Sequence, residues 1–119
     1  MNLNIKTTNI SLVPEVKEYL EKKLLMLEKI VDFSKDNVFA QVELGKTSEH
    51  HKQGDIFRAE INLRMAGVSF RAVKEAADLY AAIDGMKDEI NREVKSGRER
   101  KASVLRRSGQ AIKKLLRSE

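Results

Sequence analysis

Ile56-Phe57-Arg58-Ala59-Glu60-Ile61-Asn62-Leu63-Arg64-Met65-Ala66-Gly67-Val68-Ser69-Phe70-Arg71-Ala72-Val73 is the stretch whose reading decides the fold. From Ile56 to Met65 it alternates. Phe57, Ala59, Ile61, Leu63 and Met65 share one face, and Arg58, Glu60, Asn62 and Arg64 share the other. A period of two marks a strand with one buried and one wet side. Ala66-Gly67 reads as a tight turn, so Val68 to Val73 is predicted to return as a hairpin partner with Val68, Phe70 and Ala72 inward.

Upstream, Asn37 to Leu44 alternates in the same way, with Val38, Ala40, Val42 and Leu44 opposite Gln41 and Glu43. The polar run Gly45 to Gly54 reads as a loop. At the start of the chain, Asn2 to Thr8 predicts a short strand with Leu3 and Ile5 on one side and Asn4 and Lys6 on the other. Between these strands the period changes. Ser11 offers an N-cap, and Pro14 suits the first helical turn, where its missing N–H costs nothing. Val16, Leu20, Leu24, Leu27 and Val31, with Tyr19 and Ile30 beside them, form one helical stripe. Lys17/Glu21 and Glu18/Lys22 are spaced to pair at i,i+4, each worth a few tenths of a kcal/mol, and the helix is expected to fade near Asp32–Asp36.

Downstream, a second long helix is predicted from about Ala76, with the stripe Leu79, Ile83, Met86, Ile90 and Val94 and with Tyr80 alongside. Gly85 inside it costs about 1 kcal/mol relative to alanine, which implies a packing reason for its presence. Gly97 either ends the helix or is passed over. Lys101 to Glu119 is a basic tail, either a detached helix or mobile. The fold class is therefore α+β, in the order β-α-β-β-β-α. A four-stranded sheet carries both helices packed on one face, because apolar strand faces need a covering layer. The domain spans residues 1–100 and the tail 101–119.

Charge narrows the function. Met1 to Asn91 holds thirteen Lys/Arg against fifteen Asp/Glu, while Arg92 to Glu119 holds ten against three, so the whole excess of the +5 net charge lies in the last quarter. A basic segment on a near-neutral body is the footprint of a polyanion binder, although a solvated, charge-rich helix end would look the same. The absence of cysteine excludes disulfides and thiolate chemistry. No signal peptide and no apolar run of the roughly 20 residues a membrane span needs is visible, so a soluble cytoplasmic protein is expected.

An enzyme reading has no residues to stand on. His50-His51, beside Glu49 and Asp55, lacks the spacing that aims two imidazoles at one ion. There is no glycine-rich phosphate loop and no GxSxG. No cofactor, metal or small-molecule substrate is expected. Of the six aromatics, Phe57, Phe70 and Tyr80 fall on the buried pattern, so the open sheet face is expected to lack a stacking platform for single-stranded bases. The candidate RNA-binding residues are instead basic: Arg92, Lys95, Arg98 and Arg100, followed by Lys101, Arg106 and Arg107 toward the C-terminus. Such side chains contact phosphates, which gives affinity with little sequence readout.

Asp78-Leu79-Tyr80-Ala81-Ala82-Ile83-Asp84 resembles the D-[LM]-Y-A-A-I-D signature at the second helix of short ribosome hibernation promoting factors and the related ribosome-associated inhibitor. Arg92, Lys23 within Glu18 to Leu24, and the strand Phe57 to Leu63 are similar to that family in order and spacing, over roughly residues 1 to 100. Asp78 itself reads as a helix cap. The resemblance implies a non-enzymatic hibernation factor. It would bind the small ribosomal subunit (16S-type ribosomal RNA) and the whole ribosome, through basic residues largely on the two helices, which adds Lys22, Lys23, Lys29 and Lys87 to the RNA-binding candidates. There it would fill the messenger and transfer RNA channel at the A and P sites and inhibit translation in stationary phase or stress. Off the ribosome a monomer is expected. Met26 and Glu89 stand where relatives often carry lysine. The other two readings are a generic shape-specific double-stranded-RNA-binding module and a protein-interaction domain with a solvated basic tail.

Overall fold

Three alternating strands and a leading one become a four-stranded mixed sheet in the computed structural model, which describes residues 2–29, 38–47, 54–65 and 67–97. The strands are β1 (Asn2–Thr8), β2 (Val38–Thr47), β3 (Ile56–Met65) and β4 (Val68–Ala76), and they lie side by side in sequence order. β1 pairs parallel to β2, whereas β2–β3 and β3–β4 are antiparallel. A parallel pair needs a long crossover, and helix α1 (Pro14–Leu25) is part of it. A second helix, α2, occupies residues 79–97. The element order is β-α-β-β-β-α, as the periodicities predict.

Both helices cover the same side. Val16, Leu20, Leu24 and Leu27 from the first helical segment join Ala82, Ile83, Met86, Ile90 and Val94 of α2 in one core. They meet Val38, Ala40, Val42 and Leu44 of β2 and Ala59, Ile61, Leu63 and Met65 of β3. Among the described residues no polar or charged side chain is buried. Burial weakens at the edges. Leu3 and Ile5 of β1 are half-buried, and so are Phe57 and Phe70. Val68, expected inward, is 43% exposed, because it is the last rung of the edge strand at the hairpin turn. Gly67 in that turn has φ +76°, a conformation that L side chains rarely adopt.

Several boundaries move for identifiable reasons. Ser11 does not cap α1. Pro14 takes the first helical position, which makes Val13 the N-cap, and no side chain caps it. The α-helix gives way at Met26–Lys29 to a 3₁₀ turn, sooner than the periodicity suggests, while Ile30, Val31 and the expected fade at Asp32–Asp36 lie outside the described residues. β2 continues through Gly45, Lys46 and Thr47, which read as loop by composition. Pairing on both sides (Thr8 with Gly45, Lys46 with Phe57, Thr47 with Ile56) overrides that polarity. β4 likewise runs to Ala76, so α2 starts at 79. Asp78 caps it, its Oδ1 accepting the Tyr80 backbone N–H at 2.8 Å. Lys17 and Glu21 approach at 4.0 Å, but no Glu18–Lys22 ion pair is present among the described residues.

The glycines of α2 have their packing reason. A Cβ at Gly85 would lie 2.5 Å from Lys74 Cγ, so the lysine stem of β4 crosses the helix there. A Cβ at Gly97 would lie 2.5 Å from Cε1 of Phe70, and Gly97 is the last described residue of the helix. Contacts of 74 with 85 and 70 with 97 set α2 antiparallel to β4. The His50-His51 loop, Arg98 and Arg100, and the 101–119 tail lie outside the described residues.

Candidate nucleic-acid interface

Two i,i+4 pairs, one on each helix, meet across the α1–α2 seam. Tyr19 and Lys23 are a turn apart on α1, as are Tyr80 and Asp84 on α2, so each pair projects from one face of its helix. The Tyr19 hydroxyl donates to Asp84 Oδ1 at 2.5 Å, and Lys23 Nζ stands 3.3 Å from the same oxygen. The Tyr19 and Tyr80 rings meet edge to face, centroids 4.9 Å apart and planes at 86°. Lys23 Nζ also lies 5.2 Å from the Tyr19 ring centroid. This clasp ties the two helices together at their solvent side.

Its electrostatics follow from the shared carboxylate. The hydrogen bond to Asp84, with burial second, raises the Tyr19 phenol above its ordinary 10.0. The hydrogen bond to the same Asp84 holds the Lys23 ammonium above its ordinary 10.5, against a smaller opposing effect of desolvation. Lys23 therefore stays charged throughout the physiological range. One turn along α2, Lys87 Nζ bonds Asp88 Oδ1 at 2.9 Å. That bond lowers the Asp88 carboxyl below its usual value, burial opposes it, and Arg92 and Lys23 add weaker attraction. Lys23, Lys87 and Arg92 thus converge on one stretch of the seam, with Asp84 and Asp88 between them.

Of the candidate RNA-binding residues, the structure brings these three together. Lys22 on α1 and Arg92 and Lys95 on α2 are exposed, while Lys23 and Lys87 are half-buried and already engaged with carboxylates. Lys29 ends the 3₁₀ turn. Arg98, Arg100 and Lys101 lie outside the described residues. Sequence reasoning missed the clasp itself. Tyr80, assigned to the buried pattern, is 40% exposed and packs on Tyr19. The available signal was the matched spacing of Tyr19/Lys23 and Tyr80/Asp84 with opposite charges. It also missed Phe39, which sits on the open sheet face at 48% exposure, so that face does carry an aromatic ring. Its strand parity with Gln41 and Glu43 was the sign.

The same segments carry the family match. Residues 3–102 fit the family model described as Sigma 54 modulation protein / S30EA ribosomal protein. The chain belongs to this family. The ribosome hibernation promoting factor of Klebsiella oxytoca, similar over 94 residues at 29% identity, is covered to 90% of its length by 79% of this chain. The ribosome hibernation promotion factor of Bacillus subtilis is 28% identical over 95 residues, 80% of this chain, and the chain spans 47% of that longer protein. Among solved structures, the Protein Y N-terminal domain of Thermus thermophilus superposes with a TM-score of 0.67 at 31% identity, over 81% of this chain and 98% of that domain. The family match over residues 3–102 takes in the Asp78 to Asp84 segment and nearly all of the 1–100 stretch over which the resemblance runs. Within it, Tyr80 and Asp84 of that segment serve the clasp, and Asp78 serves the cap.

Proposed function

We propose that the protein is a cytoplasmic ribosome hibernation factor. On this reading it lies in the messenger and transfer RNA channel of the small subunit, over the A and P sites, and stops translation under stress or in stationary phase. The observation that carries the reading is the seam, where a clasp fixes two helices so that Lys23, Lys87 and Arg92 converge beside the exposed Lys22 and Lys95. A rigid cationic surface of this kind suits a folded RNA recognised by shape and phosphate position. Occupancy blocks the channel sterically, so the role needs charge and fit and no catalyst. The names of the Klebsiella and Bacillus relatives support the hibernation role. Off the ribosome the chain is a monomer on this reading.

The test is cosedimentation with purified small subunits across a salt series. Replacing Arg92, Lys95, Arg98 and Arg100 with alanine is expected to weaken binding and to flatten the dependence of log K on log salt by roughly 3, since each phosphate contact contributes on the order of −0.7 to −0.9 to that slope. Thermal stability should hardly change, because Arg92 and Lys95 are exposed. Undiminished binding by the variant would remove the second helix as the main contact. Equal affinity for any RNA duplex would replace the channel reading with a generic duplex binder.

A further inference from the structure

The sheet face turned away from the helices carries a second surface that the helical seam does not use. Cross-strand register divides it into two halves. At one end Asn2, Phe39, Arg64 and Ser69 form a rung, and Asn4, Gln41, Asn62 and Arg71 form the next. The strand carboxylates of this face, Glu43, Glu60 and Glu75, all lie on the rungs beyond. Two of them are engaged there: Glu60 accepts from Arg71 Nε at 2.6 Å and from Arg58 at 3.5 Å, and Glu43 accepts from the Thr8 hydroxyl at 3.0 Å. The first end then holds amides, Ser69, one phenyl ring and two arginines: Arg71 is bound to Glu60, and Arg64 pairs with no carboxylate among the described residues.

Phe39 and Arg64 stand directly opposite each other on β2 and β3, and a shallow hollow beside them is lined by Phe39, Gln41, Asn62, Leu63, Arg64 and Ser69. An exposed ring gives a base a π-face to stack on. Amides beside it can bond the edge of an unpaired base, and a guanidinium can take the adjoining phosphate. We propose that this end of the sheet is a stacking site for an unpaired nucleotide of single-stranded RNA. Phe39 lies against the base, Gln41 and Asn62 meet its edge, and Arg64 holds its phosphate. The protein then has two RNA-contacting faces, the seam for folded RNA and the sheet for a single strand. The inference shares with the proposed function only the premise that the partner is RNA.

The chain contains no tryptophan, so Phe39→Trp places a lone fluorophore at the site. Titration of the full-length Phe39→Trp protein with a short single-stranded oligouridine is expected to quench its emission, whereas an RNA duplex of equal length leaves it unchanged because duplex bases are already stacked. With the native residue as reference, Phe39→Ala should weaken binding of a fluorescein-labelled oligouridine by about tenfold. Arg64→Ala should weaken it and flatten its salt dependence. Absence of quenching together with unchanged Phe39→Ala affinity would overturn the proposal, as would equal quenching by the duplex. Cosedimentation of the same Phe39→Trp protein with small subunits separates the two readings. Retained cosedimentation without quenching sinks the sheet site alone. Quenching without cosedimentation keeps the sheet site and sinks the channel reading.

Discussion

Asp84 takes donors from two side chains of the other helix on a single oxygen, and the consequences can be measured one residue at a time. Tyr19→Phe removes a hydrogen bond to a charged acceptor while keeping the ring contact with Tyr80. The site is partly solvated, so a loss of about 1 kcal/mol is expected in urea unfolding. Asp84→Asn tests the charge. Tyr19 and Lys23 both have pKa values raised in the folded state. Groups raised in this way stabilise fully below their unfolded values, and the stabilisation is lost as pH rises through the folded ones. The native chain should therefore hold a constant advantage over Asp84→Asn from about pH 7 to 9 and lose it above roughly pH 10. An advantage that grows with alkalinity would contradict the clasp. Asp78 was legible as a cap because caps are local. Asp84 was harder to read, because its partner Tyr19 is 65 positions away and the matched i,i+4 spacing gains meaning only once the two helices are side by side.

At the scale of elements, α2 is placed by what its glycines allow. Helix propensity alone says that Gly97→Ala should stabilise by up to about 1 kcal/mol. The Phe70 ring beneath Gly97 reverses that sign, since it cannot move aside as a lysine stem can, and a net loss of about 1–2 kcal/mol is expected. In a Phe70→Leu background the penalty should shrink or vanish, and a thermal-melt double-mutant cycle reads the coupling directly. Equal effects in both backgrounds would mean that the ring does not set the helix position. The strands were readable because β2 and β3 keep an unbroken period of two, and the buried stripe of α2 keeps its helical period from Ile83 to Val94. Their ends were not. Gly45 to Thr47 and Lys74 to Ala76 join the sheet through neighbours that composition does not reveal.

For the whole molecule, the division of labour is between a neutral scaffold and basic surface elements. The core of β2, β3, α1 and α2 contains no buried polar or charged side chain among the described residues. Truncating it should unfold the chain without any specific effect on RNA: Leu63→Ala is expected to cost about 2–5 kcal/mol. On the proposed reading, RNA binding rests on cations held at the helix seam and toward the C-terminus, where the net charge of the sequence concentrates. That concentration was visible in the sequence, but the role of Lys23 and Lys87 as members of ion pairs was not. A residue already paired can still present a charge, as Lys23 does with its pKa raised. It contributes less free potential than its sequence suggests, so the proposed RNA contact is expected to depend more on the exposed Lys22, Arg92 and Lys95. The most direct test of channel occupancy is cosedimentation of the protein with purified small subunits in the presence of increasing initiator transfer RNA and messenger RNA at constant moderate salt. Mutual exclusion, with bound protein falling as transfer RNA binds, is the predicted result; simultaneous occupancy of one subunit by both would contradict it.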